Sequence, residues 1–187
     1  MARKKEYIEA DVIEKAMNVF WRNGYETTSM QMLEKEMGIN KFSIYSSFGS
    51  KHGLFLESVK CYKKKLNKLI GLLKSSTKGL DGLKDYFIDF IEFSKDNEIG
   101  KGCLITNTAH EVREDTDEKI KQVLSSFTNE VRDVFKSVLA QDKSKDELTL
   151  EAQADYLIIS MIGLSSASKL FNRIQLDHYI EHIFKNV

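Results

Sequence analysis

The chain has 187 residues with 28 basic and 28 acidic side chains, so its formal net charge is zero. Apolar residues make up 42% and charged residues 30%, which excludes a disordered chain and suits one long enough to bury a core. No stretch approaches the ~20 consecutive apolar residues of a membrane span. The basic Arg3-Lys4-Lys5 is followed by no apolar signal core, which reads as a cytoplasmic protein. Zero net charge excludes nucleic-acid binding through bulk charge; any such contact must be local and oriented. Two cysteines, Cys61 and Cys103, are too few for a disulfide scaffold and lack zinc-ligand spacing. Proline is absent and there are only 10 glycines; so few breakers favour long helices.

Taken in chain order, the periodicity is helical throughout. Val12, Ile13, Ala16, Met17, Val19, Phe20 and Trp21 give one wide apolar face over 10–23, and Gly24 ends that helix in a left-handed cap. Thr28 as N-cap, with Gln31 three residues on, predicts a short second helix with Met30, Leu33 and Met37 inside and Gly38 at its end. Ile39 is expected to be a buried turn residue, and Asn40 to cap a third helix over 41–48. Gly49-Ser50 is a further stop and cap, before a long helix over 51–74. A loop over 75–82 precedes a fifth helix carrying Leu83, Phe87, Phe90, Ile91 and Phe93. A break over 96–102 leads to a short helix over 103–112, and a long one follows over 115–140. The stretch 148–171 is apolar all round between Tyr156 and Leu164, which predicts burial on every side. A last helix over 175–186 repeats Leu176, Tyr179, Ile180, Ile183 and Phe184. The fold class is all-α with about nine helices, as a three-helix domain over 1–51 and a helical domain over 52–187.

The segment 28–48 carries the functional signal. Two short helices meet at a tight turn containing Gly38, and Ile44 and Phe48 would anchor the second of them to the core. That leaves Lys41, Phe42, Ser43, Ser46 and Ser47 on or near its outer face. Lys and Ser can hydrogen-bond base edges or phosphates, and Phe42 can touch a thymine methyl. Helix N-termini near Thr28, Asn40 and Ser50 can point N–H groups at phosphates; Lys51 adds a charge, and Arg3, Lys4 and Lys5 could track the backbone.

The stretches Ala16-x-x-Val19-Phe20-x-x-x-Gly24-Tyr25-x-x-Thr28-Ser29 and Gly38-Ile39-Asn40-Lys41-x-Ser43-Ile44-Tyr45-x-x-Phe48-x-Ser50-Lys51-x-x-Leu54-Phe55 resemble the N-terminal domain of the TetR/AcrR family of bacterial transcriptional regulators. The resemblance covers residues 10–60. It implies phosphate contacts by Tyr45, Thr28 and Lys51, and base contacts by Lys41, Phe42, Ser43 and Ser46. With Ser29 and Asn40 these complete the candidate DNA-binding set. Two positions depart from the pattern: Glu34 stands where a small apolar residue is usual, and His52 replaces a frequent Glu. Residues 1–51 carry eight basic and seven acidic side chains, so affinity would rest on a few placed contacts. The cluster Lys60, Lys63, Lys64, Lys65 and Lys68 reads as a solvated face.

The resemblance also implies that residues 52–187 form an effector-binding and dimerisation domain. Phe90, Cys103, Asn107, His110, Phe127, Tyr156 and Ser160 combine apolar bulk with scattered polar groups, as a pocket for a mostly apolar small molecule would; ordinary core packing is the alternative for each. The last two helices have excess apolar surface. Gly163, Ser166 and Ala167 permit close approach, and with Leu176, Tyr179, Ile180 and Ile183 they form the candidate homodimer interface, a four-helix bundle across a twofold axis. A dimer would read both halves of a palindromic operator, and an effector would shift the population away from the matching spacing. Cys103 at a helix start is a candidate sensing thiol or an inert core residue.

Other classes stay open. His178-Tyr179-Ile180-Glu181-His182 matches H-x-x-E-H of inverted zinc peptidases, but only five residues follow His182 to supply a third ligand. No cofactor or metal is expected, nor is an enzyme. A helical adaptor without specific DNA binding is the main alternative to a repressor.

Overall fold

In a computed structural model the structure describes residues 7–96 and 99–187. Among them are nine helices and one short antiparallel strand pair. The chain divides into two compact units, Met1–Lys65 and Leu66–Val187.

The first unit holds α1 (Glu9–Asn23), α2 (Met30–Met37), α3 (Lys41–Phe48) and the first part of α4 (Lys51–Ser75). Its core is built from Ala16, Met17 and Phe20 of α1, Leu33 and Met37 of α2, Ile44 of α3, and Leu54, Phe55, Val59 and Tyr62 of α4, all buried. Aromatic edges lock it: Phe20 meets Phe55 at 5.1 Å and Trp21 meets Tyr62 at 5.0 Å between ring centres. Because the first turns of α4 bury these side chains here, the division falls inside α4, beyond the boundary at 51/52 read from the sequence.

Two glycines fix the chain path. Gly38 takes φ 71°, ψ 21°, the left-handed conformation that turns α2 into α3 without a Cβ penalty. At Gly53 an added Cβ would lie 2.1 Å from the Phe48 carbonyl oxygen, so α3 and α4 meet as closely as they do only because position 53 has no side chain.

The second unit holds α5 (Leu80–Phe93), the strands β1 (Lys95–Asp96) and β2 (Ile99–Gly100), α6 (Leu104–Ala109), α7 (Glu118–Leu139), α8 (Glu147–Ala167) and α9 (Arg173–Phe184). The break expected after the fifth helix thus contains a strand pair. The helix expected over 103–112 is shorter, with Cys103 as its N-cap and His110 as its C-cap. Tyr86, Phe87, Phe90, Phe135 and Phe184 form an aromatic cluster between α5, α7 and α9. Outside the core, Arg132 and Lys136 of α7 both pair with Glu151 of α8.

Candidate nucleic-acid interface

Each short helix is closed by a polar cap at its start. Ser29 Oγ accepts from Met32 N at 3.2 Å, and Asn40 Oδ1 from Ser43 N at 2.9 Å. The cap of the second helix is therefore Ser29, one residue later than the sequence suggests. Thr28 is buried, and its hydroxyl donates to Gly24 O at 2.5 Å, closing the turn behind α1 instead of the helix ahead.

Ile44 fixes α3 to the core and Phe48 is half-buried one turn on; Ile39, expected to be buried, is half-buried too. The side of α3 opposite Ile44 faces outward. Phe42 is 81% exposed and Tyr45 40%; Lys41 and Ser46 are exposed and Ser43 is half-buried. Lys41 Nζ lies 5.7 Å from the centre of the Tyr45 ring, which gathers a cation, an aromatic ring and a phenolic hydroxyl on one face. Lys51 Nζ sits 4.6 Å above the Tyr25 ring and donates to Glu26 O at 3.3 Å. Its charge is thereby held in place beside the turn that precedes α2. The hydroxyls of Tyr7 and Ser47 are 2.6 Å apart, so the chain before α1 is tied to α3. Arg3, Lys4 and Lys5 lie outside the described residues. Of the candidate set, Ser29, Asn40, Lys41, Phe42, Tyr45 and Ser46 are open to solvent, Ser43 and Lys51 are partly open, and Thr28 is not.

Glu34 is the position sequence reasoning flagged without explaining. Its carboxylate accepts from Lys41 N, the first N–H of α3. Together Glu34 and Asn40 satisfy two of the four N–H groups that the start of α3 leaves without intrahelical partners. A cap contributed from seven residues upstream has no local sequence pattern, unlike Ser29 and Asn40. Tyr7 and Tyr25 were missed for the same reason.

In the second unit a cavity of 130 Å³ lies between α6, α7 and α8. Cys103, His110 and Phe127 of the expected pocket line it. The other four do not. Phe90 packs against Tyr86, Asn107 Nδ2 donates to Lys101 O at 2.9 Å, Tyr156 is 40% exposed, and Ser160 is buried away from the cavity wall. The Cys103 amide donates to Ser165 Oγ at 2.7 Å, and His110 Nε2 is 3.2 Å from Ser166 Oγ. Burial holds the Tyr86 phenol well above its ordinary range, so it stays protonated.

The expected interface residues separate into two groups. Leu176, Ile180 and Ile183 are buried within their own chain. Tyr179 and Gly163 are exposed, Ser166 and Ala167 half-buried, and a Cβ at Gly163 would lie 3.4 Å from Tyr179 Oη, so these two share a face. Tyr156, Ile159, Gly163 and Ser166 follow one another at intervals of a helical turn along α8. Ile159 is 68% exposed, and Leu170 and Ile174 beyond the helix end are also exposed. The expectation of burial on every side of this stretch is thus corrected: one side of α8 is apolar and uncovered in the single chain. Among the described residues no group of three or more His, Cys, Asp or Glu could hold a metal ion. Glu181 of the H-x-x-E-H stretch is paired with Lys84 at 2.6 Å. No helix among them is long and apolar enough to cross a membrane.

A helix-turn-helix with a solvent-facing second helix, joined to a larger helical unit, is the architecture of a DNA-binding transcriptional regulator. Residues 12–58 match the model for bacterial regulatory proteins of the tetR family, and residues 79–183 match the tetracyclin repressor-like C-terminal domain. The chain belongs to the TetR family. It is 30% identical to the uncharacterised HTH-type transcriptional regulator YezE of Bacillus subtilis (strain 168), over 98% of this chain and 96% of that one. It is 27% identical to IcaR of Staphylococcus aureus, the HTH-type negative transcriptional regulator of the biofilm operon icaADBC, over 75% of this chain and 73% of that one. Its fold is similar to that of a cysteine-substituted CifR complexed with 26bp double-strand operator DNA, with a TM-score of 0.88 at 24% identity over 98% of both chains. It is also similar to the reduced form of E. coli NemR, with a TM-score of 0.80 at 18% identity over 95% of this chain and 94% of that one.

Proposed function

We propose that the protein is a homodimeric repressor that places α3 in the major groove of each half of an inverted-repeat operator and lets go when a small molecule binds the second unit. The observation that carries this is the outer face of α3. Lys41, Phe42, Tyr45 and Ser46 are presented to solvent from a helix pinned by a buried Ile44 and capped at its start. Phe42, 81% exposed next to a lysine and hydroxyls, suits a base edge with a thymine methyl. Tyr45 and Lys51 are assigned to phosphates, with Ser29 and the start of α2; the part of Thr28 is to hold the turn that positions them. The negative regulation named for IcaR supports the repressor sense.

The second copy is assigned to the exposed face of Tyr156, Ile159, Gly163 and Tyr179, with Leu170 and Ile174 at its edge. One recognition helix reads only a few base pairs, so a twofold partner supplies the second half-site and the avidity. The protein works in the cytoplasm as a regulator, not as an enzyme. The test is binding to DNA from upstream of its own gene and to scrambled DNA, across a salt series. A preference for the upstream fragment that is lost in Lys41→Ala and Tyr45→Ala is the expected result. Equal, weak binding of both DNAs by the unaltered protein would favour a helical adaptor.

A further inference from the structure

The cavity between α6, α7 and α8 is small and mostly apolar. Its volume of 130 Å³ is close to that of an apolar cavity of about 150 Å³ that accepts benzene, which limits an occupant to one ring. Leu124, Phe127, Ile158 and Met161 supply the apolar wall; His110, whose Nε2 is 3.2 Å from Ser166 Oγ, also lines it, and no Asp, Glu, Lys or Arg does among the described residues. An anionic ligand would thus meet no Lys or Arg, and a cationic one no carboxylate, to replace its lost hydration.

Two threonines line the same space, and they differ. Thr128 Oγ1 donates its proton to Leu124 O at 3.0 Å, leaving only lone pairs to offer. Thr106 is 6% exposed, and its hydroxyl has no hydrogen-bond partner among the described residues. The cause is its position in the first turn of α6. The carbonyl four residues back belongs to Gly102, which lies outside the helix at φ 68°, whereas Thr108 one step along donates to Leu104 O at 2.9 Å. The Thr106 donor therefore stays open to whatever occupies the cavity.

We propose that this cavity binds a small uncharged ring bearing one hydroxyl, a molecule of the phenol class. The ring packs on Phe127 and the Met161 thioether. Its hydroxyl accepts from Thr106, whose own donor is uncommitted, and donates to a neighbouring lone pair such as that of Thr128. A hydroxyl meets both needs, where a carbonyl or an ether meets only the first. The proposal gives the effector of the preceding section its chemistry and rests on that reading.

Titration calorimetry on the full-length protein tests it, with phenol, toluene, benzoate and 2-naphthol as probes. Phenol should bind saturably at one per chain, and toluene about fivefold more weakly for the lost hydrogen bond. Benzoate should fail on charge and 2-naphthol on size. Thr106→Val keeps the shape and removes the hydroxyl; it should bring phenol down to the level of toluene and leave toluene unchanged. Leu124→Phe, which fills the space, should abolish binding of both, with retained helical circular dichroism as the check on folding. Absence of saturable phenol binding, equal binding of benzoate, or phenol binding unmoved by Thr106→Val overturns the proposal. If phenol binds as expected and operator affinity does not change, the site stands and the effector reading falls.

Discussion

Removing the Glu34 carboxylate should loosen the start of the recognition helix and, by a separate route, tighten its hold on DNA. Glu34 accepts from Lys41 N, and Asn40 accepts from Ser43 N. A side-chain cap is worth about 1 kcal/mol, and a carboxylate near a helix N-terminus about 0.3–1 kcal/mol of that through the helix dipole. Glu34→Ala should therefore destabilise the first unit by about 1 kcal/mol. Trp21 is the protein's single tryptophan and is buried in that unit, so its fluorescence reports this unfolding selectively. With a urea dependence of about 1–3 kcal/mol per molar, the midpoint should fall by about 0.3–1 M. Glu34→Gln keeps an acceptor and removes only charge. A negative charge roughly 10 Å from a phosphate in water opposes binding by about 0.4 kcal/mol. The loss of that repulsion strengthens DNA binding about twofold per half-site, or about fourfold for a dimer. An unchanged Trp21 midpoint in Glu34→Ala would show that Glu34 caps nothing, and weaker operator binding by Glu34→Gln would show that its charge assists binding.

Three further outcomes follow from the geometry. Hydrogen bonds from Lys136 and Arg132 hold the Glu151 carboxyl down to about 2. Its stabilising effect is complete above the ordinary carboxylate range near 4.5 and is lost as pH falls from there through about 2; the stability of Glu151→Gln should therefore fall less steeply over that interval in acid unfolding followed by circular dichroism. Gly53→Ala sets a methyl against the Phe48 carbonyl and should displace α3, destabilising the first unit by a few kcal/mol and costing operator binding; a normal Trp21 transition would contradict the close approach. Ile159→Lys alters a side chain already exposed in the single chain. It should leave thermal unfolding of the monomer nearly unchanged while sedimentation velocity shows loss of the dimer, and a dimer that persists would move the interface elsewhere.

Local patterns carried most of the fold. The first four helices are readable because each ends at a glycine or begins at a small polar residue, and because their apolar residues recur at helical spacing. Thr28 and Ser29 show the limit of that reading. Both can cap, and the choice is made by a hydrogen bond from Thr28 back to Gly24, which spacing alone does not reveal. The outer face of α3 was legible once Ile44 was placed inside. The charge of Glu34 was visible, but its target seven residues on was not. In the second unit, periodicity marked two apolar sides on the last helices without saying which meets the chain's own core. Leu176, Ile180 and Ile183 turn inward, while Tyr156, Ile159 and Tyr179 stay outside. The strand pair after α5 has two residues per strand, too few for any alternation to register. The cavity is a property of three helices together, so aromatic content pointed to the region and missed most of the lining.

The central claim is that α3, presented twice by a dimer, reads a specific sequence. Selection from a pool of random duplex DNA by the purified full-length protein tests it without knowledge of the operator. The account predicts enrichment of an inverted repeat, bound by two chains, with preference collapsing in Lys41→Ala and Tyr45→Ala. A pool that enriches no sequence, or one enriched equally by both variants, would contradict it.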